Sequence, residues 1–294
     1  MKNVFARWAG VCAALLMWSA GAYAAEQQQH HILWSLQGKT NKVYLLGSVH
    51  LLKESEALPA AIDSAYADAE ALVMEIDMDD LDPAQMQQAV MDLAAQPPEQ
   101  SLQQQLGAPT YEKFATQART LGLDPALLDR FRPWFAAITL VQAQLMKMGF
   151  DPESGVERRL TRRASADKKP IEGLETVREQ LEIMARLPEK QQREFLLYSV
   201  EDAERMATEV DELLAAWRTG DAAAMAKLLQ EGFDEYPDLY RPLTVERNRK
   251  WIPQIEALLN ARDDYLVVVG ALHLVGTDSV IDLLERKGHK VKQL

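Results

Sequence analysis

Thiol chemistry is all but missing from this chain. Its one cysteine, Cys12, lies ahead of Ala22-Tyr23-Ala24, which has the small-residue pattern of a signal cleavage site. Lys2 and Arg7 make a basic start, and Val11 to Trp18 a short apolar run. Residues 1–24 are therefore expected to be a secretory signal peptide, too short and wrongly flanked for a stable membrane anchor. The mature chain would then lack cysteine, which excludes a disulfide, a thiolate metal site and thiol catalysis, and leaves stability to the core. Basic charge is scarce as well: 32 Lys and Arg stand against 44 Asp and Glu, a net charge of −12 that deepens when Lys2 and Arg7 are removed. Such a surface disfavours nucleic acid and anionic membrane as partners. No second run of about 20 apolar residues follows, so the expected destination is the periplasm or the exterior. Also absent are HExxH, the GxSxG elbow, the P-loop and GxGxxG.

What the chain does have occurs twice. Val43-Tyr44-Leu45-Leu46-Gly47-Ser48-Val49-His50 and Leu266-Val267-Val268-Val269-Gly270-Ala271-Leu272-His273 are each a short apolar run that stops at a glycine, with an imidazole three residues later. A buried strand feeding a tight glycine turn places that imidazole just beyond the strand's carboxyl end. In open α/β sheets that edge is where ligands bind. Two such strands side by side would bring His50 and His273 into one pocket.

Between these motifs the chain reads largely as helix. Residues 32–36 and 42–46 flank Gln37-Gly38-Lys39-Thr40-Asn41, a hairpin signal. Leu72 to Asp77 reads as a short strand interrupted by acids, and Lys169 to Thr176 as another extended segment. Helical spacing dominates from Pro83 onward, with Tyr236 to Pro242 irregular. The final strand, helix and strand read as a compact βαβ unit. The expected fold is α/β: a central mixed sheet formed by both chain ends, with a large helical insertion at about 83–261. After the signal peptide, residues 25–294 are read as a single domain.

Neutral imidazole is a good ligand for zinc, cobalt, manganese or nickel, and two imidazoles plus a carboxylate form a common catalytic metal set. Glu75, at the end of a short apolar strand, is the expected third ligand, with Asp77 on the same side by strand alternation. Glu172 and Glu175 are candidates for general base, and Arg247 for steadying an oxyanion or clamping a carboxylate. Each has a plainer reading. A lone histidine after a strand is more often a structural residue than a ligand, and it is the matched pair that shifts the balance. Asp77 to Asp82 also reads as a solvated acidic loop, and Arg247 as a helix-surface ion-pair residue. His289 reads as part of an exposed last strand.

At these residues the chain resembles the TraB/GumN family, which is related to the Tiki metalloproteases. The matching pieces run in the family's order: Leu46-Gly47-Ser48-Val49-His50, Glu75, Arg132-Pro133-Trp134, Glu172-Gly173-Leu174-Glu175-Thr176 followed by Gln180, Arg247-Asn248, and Val269-Gly270-Ala271-Leu272-His273. The resemblance implies a fold similar to ChaN-like and erythromycin-esterase-like proteins, with both Gly-x-x-His motifs at the active centre. In the Tiki branch it implies metal-dependent peptide cleavage. The expected function is thus an exported metal-dependent hydrolase, a peptidase acting on a peptide or small ester or amide. His50, Glu75 and His273 would hold manganese, cobalt or zinc, and Glu172, Glu175 and Arg247 would act on the substrate. Two alternatives stand beside it: a metal-independent esterase-like hydrolase with His50 as general base oriented by Glu75, and a non-catalytic haem- or ligand-binding protein.

Overall fold

The computed structural model describes residues 30–201, 203–234 and 237–294. The expected signal peptide, residues 1–24, lies outside them. Six strands form one mixed sheet: β1 (Leu33–Gln37), β2 (Lys42–Ser48), β3 (Ala71–Met74), β4 (Ile171–Gly173), β5 (Tyr265–Gly270) and β6 (Val291–Gln293), in the order β4-β3-β5-β2-β1-β6. Strands β4, β3, β5 and β2 run parallel, so their carboxyl ends share one edge. β1 is antiparallel to both β2 and β6. The α/β class is as expected. Strands from both chain ends supply five of the six positions, and β4 comes from the middle of the chain.

Burial on both faces accounts for the continuous apolar runs. Val43 to Ser48 and Leu266 to Val269 are all buried. The core around them takes Ile62 and Tyr66 from the helix Ala60–Asp68, Leu160 from Val156–Asp167, Trp251 and Ile255 from Glu246–Leu258, and Leu284 from Val280–Arg286. The helical segment adds two apolar clusters of its own, one around Phe114, Leu140 and Leu196, the other around Trp134, Met184 and Leu239.

The hairpin is pinned to the far end of the chain. The buried Asn41 amide donates to the carbonyls of Leu258 (2.9 Å) and Asp263 (2.7 Å), just ahead of β5. This fixes where β5 enters beside β2.

Three expectations change. β3 ends at Met74, so Glu75 and Asp77 lie past the strand, and strand alternation does not govern them. The terminal strand does not pair with β5. β6 joins the opposite edge beyond β1, so the helix Val280–Arg286 crosses over two intervening strands. Residues 237–242, within the stretch expected irregular, are helical and lead into a π-helical turn, Arg241–Val245.

Gly47 marks a close backbone approach. A β-carbon there would sit 2.9 Å from Cα of Ala271 and collide with the Ile32 side chain. The Gly47 carbonyl also accepts the buried indole N–H of Trp217 at 2.8 Å. Replacing Gly47 with Ala is expected to lower the unfolding free energy by about 1–3 kcal/mol through overpacking. Urea denaturation of the two proteins measures it, and unchanged midpoints would contradict the contact.

Candidate active site

The register of β2 against β5 pairs Ser48 with Gly270. His50 lies two residues past that rung. After Gly270 the chain turns through a single 3-10 turn, Ala271–His273, which swings His273 back over the same edge. From the other side Glu75 reaches in, and its Oε1 accepts the Gly270 N–H at 2.7 Å. A β-carbon on Gly270 would lie 3.3 Å from Glu75 Oε1, 3.6 Å from His273 Cδ2 and 3.7 Å from His50 Nε2. The two imidazoles and the carboxylate therefore converge on the small space left by one missing side chain.

Each ring is held by its Nδ1. Asn248 Nδ2 donates to the Asp278 carbonyl (2.9 Å), which turns Asn248 Oδ1 toward His273 Nδ1 at 2.7 Å. An amide oxygen only accepts, so Nδ1 carries the proton and Nε2 offers a lone pair to the cleft. Trp251 packs against the same ring, with centroids 4.6 Å apart. Burial, opposed by Glu75 and helped by Arg247 and His50, brings the His273 pKa down to about 4, so the ring is neutral.

His50 is treated differently. Its Nδ1 meets Glu157 Oε1 at 2.7 Å, and that carboxylate also accepts the Ser48 hydroxyl. Glu157 stands in the first turn of the helix Val156–Asp167. The helix can approach because Gly155 packs on the His50 backbone, where any β-carbon would strike the His50 carbonyl. Burial opposes ionisation of Glu157, but His50, Ser48 and its own amide outweigh it and keep its pKa below the ordinary range. The negative charge in turn raises the His50 pKa. Solvent over 63% of the His50 side chain screens the pair.

The third feature is a cluster of opposed charges. Arg247 donates to Glu75 Oε2 at 2.5 Å, and to Glu175 Oε1 through Nε at 2.8 Å and through Nη2. Its Nη1 lies 3.0 Å from His273 Nε2. Gln180 bridges the two carboxylates, at 3.0 Å from Glu75 Oε2 and 2.8 Å from Glu175 Oε1. Burial pushes the Glu75 pKa up, yet His273, Arg247, His50 and the Gly270 N–H bring it down to about 2. His273 itself is neutral, so Arg247 is the permanent positive charge bonded to Glu75. Arg247 and Glu175 are 11% and 6% exposed, so this is a buried, mutually compensated set.

The structure thus brings together His50, His273, Glu75, Glu175 and Arg247. Glu172 is elsewhere, exposed on the edge strand β4. Asp77 is occupied in a turn, accepting from the amides of Asp79 and Asp80. His289 precedes β6 and pairs with Glu256 at 2.9 Å. The carboxylate on His50 Nδ1 is Glu157, where sequence reasoning had put Glu75. Glu157 gave no sequence signal, since Val156-Glu157-Arg158-Arg159 reads as a charged helix face. An open cleft of about 380 Å³ adjoins the cluster, with Leu51, Met74 and Met78 on its apolar wall and Gln142 and Arg158 from the helical segment beside them.

Among the described residues, no three His, Asp, Glu or Cys side chains are already disposed as a metal-ligand set. His273 Nε2 stands 3.8 Å from Glu75 Oε1, and Arg247 is hydrogen-bonded to both residues. The donor chemistry nonetheless fits a divalent cation. Two imidazoles held at Nδ1, both Nε2 atoms free of covalent hydrogen when neutral, and a buried carboxylate are the groups such an ion takes.

A family model described as the TraB/PrgY/gumN family matches residues 32–293. Among curated proteins the chain is similar to the "Uncharacterized protein YbaP" of Escherichia coli (strain K12). The two are 25% identical over 246 residues, covering 82% of this chain and 87% of the relative. The YbaP protein of Shigella flexneri matches to the same extent. An "Uncharacterized protein" of Treponema pallidum (strain Nichols) is 22% identical over 279 residues, covering 88% and 81%. No solved structure matches significantly.

The Glu157 contact makes a pH-dependent prediction. In Glu157→Gln the neutral amide no longer favours the imidazolium, so the His50 titration midpoint should fall toward its ordinary value near 6.5. Wild-type His50 should stay protonated to higher pH than the variant. Imidazole NMR titration of the metal-free proteins reads both midpoints, and equal values would remove Glu157 from the account.

Proposed function

The chain belongs to the TraB/PrgY/gumN family, and on that premise we propose that it is an exported hydrolase of amide or ester bonds, with a peptide or small ester or amide as substrate. One observation carries this reading. Two imidazoles from distant motifs, each held at Nδ1, face a common point beside the ionised Glu75. His50, His273 and Glu75 would hold the cation, manganese, cobalt or zinc. When bound, such an ion polarises a carbonyl and brings the pKa of a water toward about 7.

The chain's own residues do the rest. Leu51, Met74 and Met78 offer an apolar wall for the substrate beside the reacting carbonyl. Water adds to the carbonyl carbon, and Glu175 takes its proton. The C–N or C–O bond then breaks, and the leaving group departs with that proton. Arg247, fixed by two carboxylates, is placed to stabilise the tetrahedral oxyanion. The export part of the reading rests on Lys2, Arg7, the apolar run after them and Ala22-Tyr23-Ala24.

A second reading has its own observation. The buried Glu157 on His50 Nδ1 makes a carboxylate–histidine pair of the kind that orients a general base without any metal. Chelation separates the two.

Purified protein assayed on peptide and ester libraries, beside elemental analysis, tests the proposal. Cleavage should be lost on chelation and restored by manganese, cobalt or zinc. His50→Ala and His273→Ala should each lower it by about a hundredfold or more while circular dichroism stays unchanged. Full activity in either variant would sink the assignment, and full activity under chelation would favour the metal-free pair.

A further inference from the structure

Arg247 occupies an unusual position. Its guanidinium sits between the atoms that would ligate a cation, with Nη1 on His273 Nε2 and Nη2 on Glu75 Oε2. A guanidinium cannot be deprotonated in a protein, so it always donates and never ligates. While Nη1 holds the His273 lone pair, that nitrogen cannot bind a metal. We propose that Arg247 is a resident substitute cation: it neutralises the cluster when no metal is bound, and a divalent ion enters only when the guanidinium leaves His273. This rests on the reading of His50, Glu75 and His273 as a cation's donor set.

Charge balance supports the exchange. Glu75 and Glu175 are two largely buried carboxylates that share one arginine. Without a counter-cation they would repel each other in a medium that screens poorly. A divalent ion would supply that positive charge in place of the guanidinium. The structure also shows where the arginine can go. Its Nε bond to Glu175 need not break, and Nη1 already lies 3.3 Å from the Leu243 carbonyl. Leu243 belongs to the π-helical turn Arg241–Val245, which leads directly into the helix that carries Arg247. Such turns recur where a helix must adjust at a functional site. The guanidinium carbon lies 4.8 Å from the Trp251 ring centroid, a face over which it can swing.

Equilibrium titration with cobalt, read by its visible absorption and by thermal melting, tests this on the wild type, Arg247→Gln, Arg247→Lys and the double variant Arg247→Gln/His273→Ala. Arg247→Gln should bind cobalt about tenfold or more tightly than the wild type, because one competing positive charge is gone. It should melt lower than the wild type without metal and recover when cobalt is added. The double variant should lose the gain. Should Arg247→Gln fail to fold, Arg247→Lys, whose ammonium cannot reach both partners at once, should show the same tightening in smaller degree. Equal or weaker binding in the folded variant, or no binding in any protein, overturns the inference. The titration involves no turnover. A chain that binds cobalt as described yet cleaves nothing refutes the hydrolase and leaves the exchange standing. A chain that hydrolyses with no cation bound does the reverse.

Discussion

The parallel ladder between β2 and β5 is the constraint on which the rest depends. It places Gly47 and Ser48 beside Val269 and Gly270, although some 222 residues separate the two stretches. Period-two geometry makes such a register unforgiving, because a slip of one residue turns every side chain to the opposite face. Here a slip would move Gly270 off its place beside Ser48, and with it the turn that carries His273. The register is secured from outside the ladder as well, by Asn41 on the carbonyls ahead of β5 and by Trp217 on the Gly47 carbonyl. Those bonds satisfy buried polar groups that would otherwise cost about 1–3 kcal/mol each.

Once the edge is set, glycine decides how close the active groups come. Gly47 lets the 3-10 turn after β5 lie against β2, Gly155 lets a helix lie against the His50 backbone, and Gly270 leaves the space in which three polar side chains meet. The charges gathered there compensate one another: Glu75 and Glu175 against Arg247, and Glu157 against His50. Removing one member of such a set strands the others in a poorly solvated place, so the members stand or fall together. This gives the cleft preorganised charge, at the expense of a cluster that tolerates little change.

The helical segment turns out to be a wall of the cleft as much as an insertion. It supplies Glu157 and Gln180 to the cluster, Gln142 and Arg158 to the cleft, and the edge strand β4 to the sheet. The helices that carry Glu157 and Arg247 pack into the sheet core through Val156, Leu160, Trp251 and Ile255, while the clusters around Phe114 and Trp134 hold the rest of the segment together. The side chains that reach the imidazoles from this segment are therefore held by packing rather than by a loop.

Both Gly-x-x-His strands and the hairpin before the first were legible in the residues, because each is written in local terms: apolar runs, a glycine stop, a turn between two strands. Glu75, Glu175 and Arg247 were legible as candidates only in the company of those motifs. Glu157 was not, since a glutamate in the first turn of a charged helix looks the same whether it faces water or an imidazole. Nor was the choice of Glu175 over Glu172, which turned on where β4 stopped, or the route of β6 to the far edge. The sequence by itself thus determined the doubled strand-and-imidazole element and the α/β class, because periodicity and turn chemistry act between near neighbours. Only the tertiary structure decided which side chain holds which, because those bonds span 105 residues from Gln180 to Glu75 and 172 from Arg247 to Glu75. No local pattern encodes a distance of that kind.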